Sequence, residues 1–167
     1  MNAKDNEECE GSVCNSNDAK TYRDEIKSLI KDLNKISSKN LKGPSFNNEK
    51  ILLCEDDKIN QFIVSKALQV LGLSVDIANN GQEGVDLFKK NKYDLILMDM
   101  NMPIKSGVES AIEIRKINKE IPIIALTANV TIEGAWLCKK AGMNSFFAKP
   151  LNSPMLSLEI DKWLNKY

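Results

Sequence analysis

The sequence predicts an α/β fold: a doubly wound parallel sheet of five strands in the order 2-1-3-4-5, with helices on both faces. Three observations carry that expectation. Between residues 49 and 167, short apolar runs alternate five times with segments of helical periodicity. Strand–helix–strand repeats close through right-handed crossovers, which make the strands parallel. The runs are apolar almost throughout, as strands buried on both faces must be.

The first run, Lys50-Ile51-Leu52-Leu53-Cys54, reads as a buried strand. Residues 60–71 then show helical spacing and stop at Gly72, a residue that tolerates the left-handed turn after a helix. Ser74–Ala78 is the second strand, and residues 82–90, with Val85, Leu87 and Phe88, form the second helix. Residues 94–98 (Asp-Leu-Ile-Leu-Met) are the third strand. Ser106-Gly107-Val108-Glu109 is a capping box that opens a helix to about residue 117. Residues 121–126 form the fourth strand, residues 132–141 a helix ended by Gly142, and Ser145–Ala148 a short fifth strand. A last helix starts at Ser153 and reaches Trp163 and Leu164. The arrangement is flavodoxin-like, and residues 49–167 are enough for one good core.

Residues 1–48 are expected to be an extension. Residues 1–17 are rich in Asn, Glu, Ser and Asp and bury little, a composition of disorder. In residues 18–36, Tyr22, Ile26, Leu29, Leu33 and Ile36 recur every three or four positions behind a capping box at Thr21 to Asp24. A linker with Gly43-Pro44 follows. The seam suits a weak homodimer through a coiled coil, but better suits a marginal helix, either in a tether or packed on the neighbouring domain. Two heptads are short for independent stability, which favours the latter.

Composition removes several function classes. Lys+Arg and Asp+Glu are both 23, for zero net charge, so there is no electrostatic footprint for nucleic acid or membrane. No apolar stretch is long enough to span a bilayer, and the polar N-terminus lacks a signal peptide's apolar core. The expected location is cytoplasmic, with Cys9, Cys14, Cys54 and Cys138 as free thiols. There are no histidines. This stretch of chain therefore cannot donate phosphohistidine, use histidine as a catalytic base or bind metal through imidazole.

In sheets of this kind ligands bind outside the carboxyl ends of the strands. There the first strand ends in Glu55-Asp56-Asp57, the third in Asp99, the fourth in Thr127 and the fifth in Lys149-Pro150. Asp57 is best explained as a helix cap. The other acids cannot all ionise close together without a cation. An oxygen-only donor set suits Mg²⁺, which in turn favours a phosphoryl ligand. A carboxylate can attack phosphorus to form an aspartyl phosphate, while an ammonium and a hydroxyl hold its oxygens.

These stretches resemble the response-regulator receiver domain, the phosphoacceptor module of two-component and phosphorelay signalling. Ile51 to Asp57 is similar to its first strand and acidic pair, Leu97-Met98-Asp99-Met100-Asn101-Met102-Pro103 to its phosphoacceptor segment, and Ala125-Leu126-Thr127-Ala128 and Ala148-Lys149-Pro150 to its switch and lysine motifs. Asn60-Gln61 and the acidic pair most resemble receivers of hybrid histidine kinases. The resemblance covers residues 49–167. It implies that Asp99 is the phosphoacceptor, that Asp56 ligates Mg²⁺ directly and Glu55 through a water, and that the Asn101 backbone carbonyl completes the set. It implies that Thr127 and Phe146 are switch residues, that Lys149 pairs with the phosphoryl group, and that the Lys149–Pro150 peptide is cis. Phe147 should face the core. Asp57, the Lys105-Ser106-Gly107 run and Phe146 depart from the commonest family residues, and none removes a catalytic group.

Other classes differ in strand order or motif. A haloacid-dehalogenase-like phosphatase places its nucleophile on the first strand, and an acid would stand where Asn101 does. A flavin or nucleotide carrier would need a glycine-rich loop after the first strand, where three acids stand. A non-phosphorylated scaffold would have lost part of the set. Without histidine, the chain is expected to receive its phosphoryl group in trans from a histidine kinase or histidine phosphotransfer protein. No output segment follows the last helix, so the expected output is a changed surface or the phosphoryl group itself. On the first helix Ile63, Ala67, Leu68 and Leu71 are the expected core stripe. Ile59, Phe62 and Val70 fall on the other side as a candidate docking patch, unless a loop covers them.

Overall fold

A computed structural model describes residues 46–128, 131–149 and 153–165. The expected helix at 18–36, its capping box, Cys9, Cys14 and the Lys149–Pro150 peptide lie outside these residues. The described elements are β1 (Lys50–Cys54), α1 (Lys58–Val70), β2 (Ser74–Ala78), α2 (Gly81–Lys90), β3 (Leu95–Asp99), α3 (Gly107–Ile117), β4 (Ile123–Thr127), α4 (Ile132–Lys140), β5 (Ser145–Ala148) and α5 (Ser153–Leu164). The strands form one sheet in the order β2-β1-β3-β4-β5, and every neighbouring pair is parallel.

Alternation along the strands builds two cores. Ile51 and Leu53 of β1 join Val64 and Leu68 of α1 and Leu156 and Ile160 of α5 on one side. Leu52 and Cys54 join Val85 and Phe88 of α2, Ile114 of α3 and Cys138 of α4 on the other. Fully burying an aliphatic side chain is worth about 1.5–3 kcal/mol, and Ile51, Leu52, Leu53, Ile96, Leu97, Ile124 and Leu126 are all fully buried. Only the central strands are covered on both faces; the edge strands β2 and β5 are half-exposed. Phe147 packs against the α1–α5 core while Phe146 faces solvent.

Most element ends fall at or near their expected positions, and the differences have local causes. Helix α1 starts at Lys58 because Asp57 caps it, its carboxylate accepting from the Asn60 amide at 2.8 Å. Ser106 and Glu109 close the expected capping box on α3. Gly72 and Gly142 have φ of 91° and 79°, which stops the preceding helices. The core stripe of α1 is rotated from expectation. Gln61, Val64, Ser65, Ala67 and Leu68 are buried, and Ile63 is only half-buried.

Register fixes the rim. Cys54 pairs with Met98, Asp99 with Leu126, and Thr127 with Ala148. Glu55, Asp99, Thr127 and Lys149 therefore leave the sheet at one edge and nearly one height.

Candidate functional site

Glu55 follows β1, and its amide still bonds to Ala78 O at 3.0 Å, so the residue is held as rigidly as the strand. Asp99 is the last residue of β3. Their side chains are 1% and 8% exposed, and between them sits Lys149 Nζ, 2.6 Å from Glu55 Oε2 and 2.7 Å from Asp99 Oδ2. Asp56 is exposed beside them. One carboxylate oxygen from each of Glu55, Asp56 and Asp99 lies within 4.8 Å of the other two.

The electrostatics follow from that crowding. Burial lifts the Glu55 carboxyl above its ordinary range; the Lys149 hydrogen bond opposes the shift and the Asp99 charge adds to it. Burial works against the Lys149 ammonium, but hydrogen bonds to Asp99 and Glu55 win and hold its pKa above the usual lysine value. One ammonium faces three carboxylates, so a divalent cation fits the remaining charge. The donors are all oxygen, as Mg²⁺ prefers and Zn²⁺ does not. Cys54 adds no thiolate, since burial pushes its thiol pKa strongly up. Asp57 stands apart, occupied as the α1 cap.

The remaining expected residues lie close by or on a separate face. The Asn101 amide donates to Asp99 Oδ1 at 3.1 Å, which leaves that carboxylate positioned by a backbone donor on one oxygen and Lys149 on the other. Thr127 ends β4, and its carbonyl accepts from the Lys149 amide at 2.7 Å. Thr127 lines a small cavity with Met100, Thr131, Ala135, Cys138 and Phe146. Ile59, Phe62 and Val70 sit apart on the outer face of α1, and all three are exposed rather than folded under a loop.

Sequence reasoning missed the network that holds Glu55 from behind. Buried Gln61 donates from Nε2 to Glu55 O at 2.6 Å and to Asn79 Oδ1 at 3.1 Å. Asn60 Nδ2 reaches Glu55 Oε1 at 3.3 Å, and Lys58 Nζ bonds to Asn79 Oδ1 and to Gln61 Oε1. The signal was available: Gln61 shares a helical face with Val64, Ser65 and Leu68, and a glutamine in a buried stripe needs partners.

Chemically, the arrangement presents one positioned carboxylate, an adjacent ammonium and an acidic cluster able to take a divalent cation. That set can accept a phosphoryl group onto oxygen. No helix among the described residues is long and apolar enough to cross a membrane.

Comparison with known proteins points the same way. Residues 51–161 match the family model of the response regulator receiver domain. A hybrid signal transduction histidine kinase of Dictyostelium discoideum is 41% identical in an alignment of 131 positions that covers 70% of this chain and 7% of that protein. The chain thus spans a small part of the length of that curated relative. The receiver domain of a sensor histidine kinase of Pseudomonas aeruginosa, crystallised with a magnesium ion coordinated in its active site cleft, is similar at 35% identity and TM-score 0.68, covering 71% of this chain and 99% of that one. A Saccharomyces cerevisiae response regulator receiver, co-crystallised with a histidine phosphotransfer signalling protein, is similar at 32% identity and TM-score 0.68, covering 72% and 91%.

Proposed function

The chain belongs to the response regulator receiver domain family, and from that premise we propose that residues 49–167 form the phosphoacceptor of a two-component phosphorelay, with Asp99 taking the phosphoryl group. The observation that supports this reading is Lys149, lodged within 2.7 Å of both Glu55 and Asp99 beside the acidic cluster.

In the proposed step an Asp99 carboxylate oxygen attacks the phosphorus of a partner's phosphohistidine. The new O–P bond gives a mixed anhydride. The P–N bond breaks, and its electron pair returns to the donor imidazole, which is left neutral or takes a proton. A divalent cation such as Mg²⁺, held by Glu55, Asp56, Asp99 and the Asn101 backbone carbonyl, would supply positive charge to the phosphoryl oxygens. Lys149 keeps its ammonium beside Asp99 and follows a phosphoryl oxygen once it arrives. The Thr127 hydroxyl donates to another oxygen, and its movement lets Phe146 turn toward the cavity that both residues line. Such a switch needs only a few kcal/mol of differential contact. The chain catalyses its own phosphorylation and dephosphorylation and no other turnover.

The donor is a histidine kinase or histidine phosphotransfer protein acting in trans, in the cytoplasm. The yeast receiver crystallised with such a partner supports this class. A helical donor would dock on Ile59, Phe62 and Val70, along the outer face of the helix that begins at the rim carrying Glu55 and Asp56. Incubation with Mg²⁺ and acetyl phosphate, read by intact mass, tests the reaction. Phosphoryl addition is expected in the wild type and absent in Asp99→Asn and Asp99→Ala. Labelling that persists in both variants sinks the assignment. Phe62→Ala should slow transfer from a protein donor and leave labelling by acetyl phosphate unchanged.

A further inference from the structure

Glu55 is gripped by both of its backbone groups. Its amide donates to Ala78 O at the end of β2, at 3.0 Å. Its carbonyl accepts from Gln61 Nε2 at 2.6 Å. That carbonyl and the Asp56 amide belong to one planar peptide, so the bond from Gln61 fixes the plane from which Asp56 projects. Gln61 is buried in the first turn of α1, and the following turns are anchored in the core by Val64 and Leu68.

The Gln61 amide is itself held in one orientation. Its Oε1 accepts from the Lys58 ammonium at 3.2 Å, which leaves Nε2 facing Glu55 O and, at 3.1 Å, Asn79 Oδ1. Turning the amide over would set oxygen against oxygen at Glu55 and Asn79, and nitrogen against Lys58. Asn79 is fixed in turn, because Glu83 Oε2 accepts from its backbone amide at 2.9 Å and from its Nδ2 at 2.8 Å. Helix α1, the end of β2 and helix α2 thus converge on one carbonyl oxygen. Among the described residues no donor holds the exposed Asp56 carboxylate, so its aim is left to the backbone behind it.

We propose that Gln61 is a positioning residue for the divalent cation: it fixes the Glu55–Asp56 peptide, and so sets both the Mg²⁺ affinity of the acidic cluster and its preference for Mg²⁺ over Ca²⁺. The proposal rests on the reading of Glu55, Asp56 and Asp99 as the cation site. Mg²⁺ demands near-octahedral placement of its oxygens, whereas Ca²⁺ accepts irregular sets. A peptide free to rock therefore weakens Mg²⁺ more than Ca²⁺. Gln61 is uncharged, so a neutral replacement leaves the charge at the cluster unaltered and changes only its aim. Groups that support metal ligands from behind cost about 10–100-fold in affinity when removed. The lower end applies here because the Glu55 amide keeps its bond to Ala78 O.

Titration of the full-length chain with Mg²⁺ and, separately, with Ca²⁺, followed in amide spectra, tests this. Gln61→Met keeps the length of the side chain and removes its amide. Without metal, the variant should shift the Asp56 amide signal. Its Mg²⁺ affinity should fall about tenfold and its Ca²⁺ affinity by less. Asn79→Ala loosens the Gln61 amide but leaves it in place. It should give a smaller loss in the same sense, and no further loss in the Gln61→Met background. Val64→Ala controls for stability: it should lower the urea midpoint and leave both affinities unchanged. Unchanged Mg²⁺ affinity in Gln61→Met, equal losses for the two ions, or the same Mg²⁺ loss in Val64→Ala would each overturn the proposal. If Gln61→Met does not fold, Asn79→Ala decides alone, and an unchanged Mg²⁺ affinity there overturns it. A wild type that binds neither ion, or an Asp56→Asn variant that binds both as the wild type does, defeats the cation-site reading and this proposal with it. A wild type that binds Mg²⁺ no more tightly than Gln61→Met defeats the proposal alone.

Discussion

Lys149 Nζ stands 2.7 Å from Asp99 Oδ2, although the two residues are 50 positions apart in the chain. The same nitrogen is 2.6 Å from Glu55 Oε2, 94 positions away. Three separated strand ends thus meet through a single ammonium. It neutralises part of a carboxylate cluster that would otherwise repel itself, and it stands where a phosphoryl oxygen on Asp99 would need a cation.

Lys149→Ala leaves Glu55 and Asp99 facing one another without compensation. Removing one partner of a buried ion pair costs about 3–5 kcal/mol, and the lower end applies because the Lys149 side chain is 18% exposed. We expect a loss of about 3 kcal/mol in metal-free urea unfolding, partly restored by millimolar Mg²⁺. Acetyl phosphate labelling of Asp99 should fall at least about tenfold, the loss of roughly one charge-assisted hydrogen bond. Unaltered stability with and without Mg²⁺ would contradict the electrostatic account.

Gly107 opens α3 directly against the end of β3, where a side-chain Cβ would overlap the backbone carbonyl of Asp99. Backbone cannot move aside as a flexible side chain does. Gly107→Ala should therefore destabilise the domain by about 3 kcal/mol and reduce Asp99 labelling as the strand end shifts. Gly134→Ala is the contrasting case. Its nearest neighbour is the Thr131 hydroxyl at 3.2 Å, and the gain in helix propensity, about 0.5–1 kcal/mol, should leave it neutral or stabilised. Thermal unfolding of the pair distinguishes steric overlap from a general intolerance of glycine replacement.

Ile104 adopts φ of 69° in the β3–α3 loop and is 83% exposed. A β-branched residue in the left-handed region is strained, at a cost of about 1–3 kcal/mol. Asparagine occupies that region readily, as Asn48 does at φ of 68°. Ile104→Asn should raise stability by about 1 kcal/mol, measured as a higher urea midpoint at unchanged slope. A lower midpoint would show that the Ile104 side chain makes contacts that outweigh its backbone strain.

Glu113 on α3 is bridged by Lys105 and, at 2.8 Å, by Lys89. The hydrogen bond from Lys105, followed by that from Lys89, lowers its pKa from 4.5 to about 2. A depressed acid stabilises the folded state fully above its unfolded pKa and loses that contribution as pH falls through its folded pKa. The stability difference between wild type and Glu113→Gln should therefore be constant above about pH 5 and shrink between the unfolded value of 4.5 and the folded value of about 2. Acid titration of unfolding midpoints checks this, and a difference that grows on acidification would contradict the sign.

Much of the fold was legible because its signals are local. Strand and helix periods, the Asp57 and Ser106 caps and the stop at Gly72 each depend on residues within a turn or two. Candidate site residues could be named because acids, a hydroxyl and a lysine recur at successive strand ends. Gln61 in a buried stripe calls for a partner, but helical periodicity alone does not say that the partners are Glu55 and Asn79. The stripe itself was misplaced by part of a turn, because Ile63 and Val64 are equally apolar and only packing against β1 and α5 distinguishes them. Ile104 carried no visible signal; its strain comes from how the chain turns between β3 and α3.

The order of residues settles which segments are strands, which are helices and which chemistry waits at each strand end, since backbone hydrogen bonding and amphipathic periodicity act over short distances. That Lys149 bridges Glu55 and Asp99, that Gln61 braces Glu55 against Asn79, and that Ile59, Phe62 and Val70 face outward together emerge only on folding. These are contacts between distant parts of the chain, set by parallel register and by the packing of α1 on the sheet, and no local pattern encodes them.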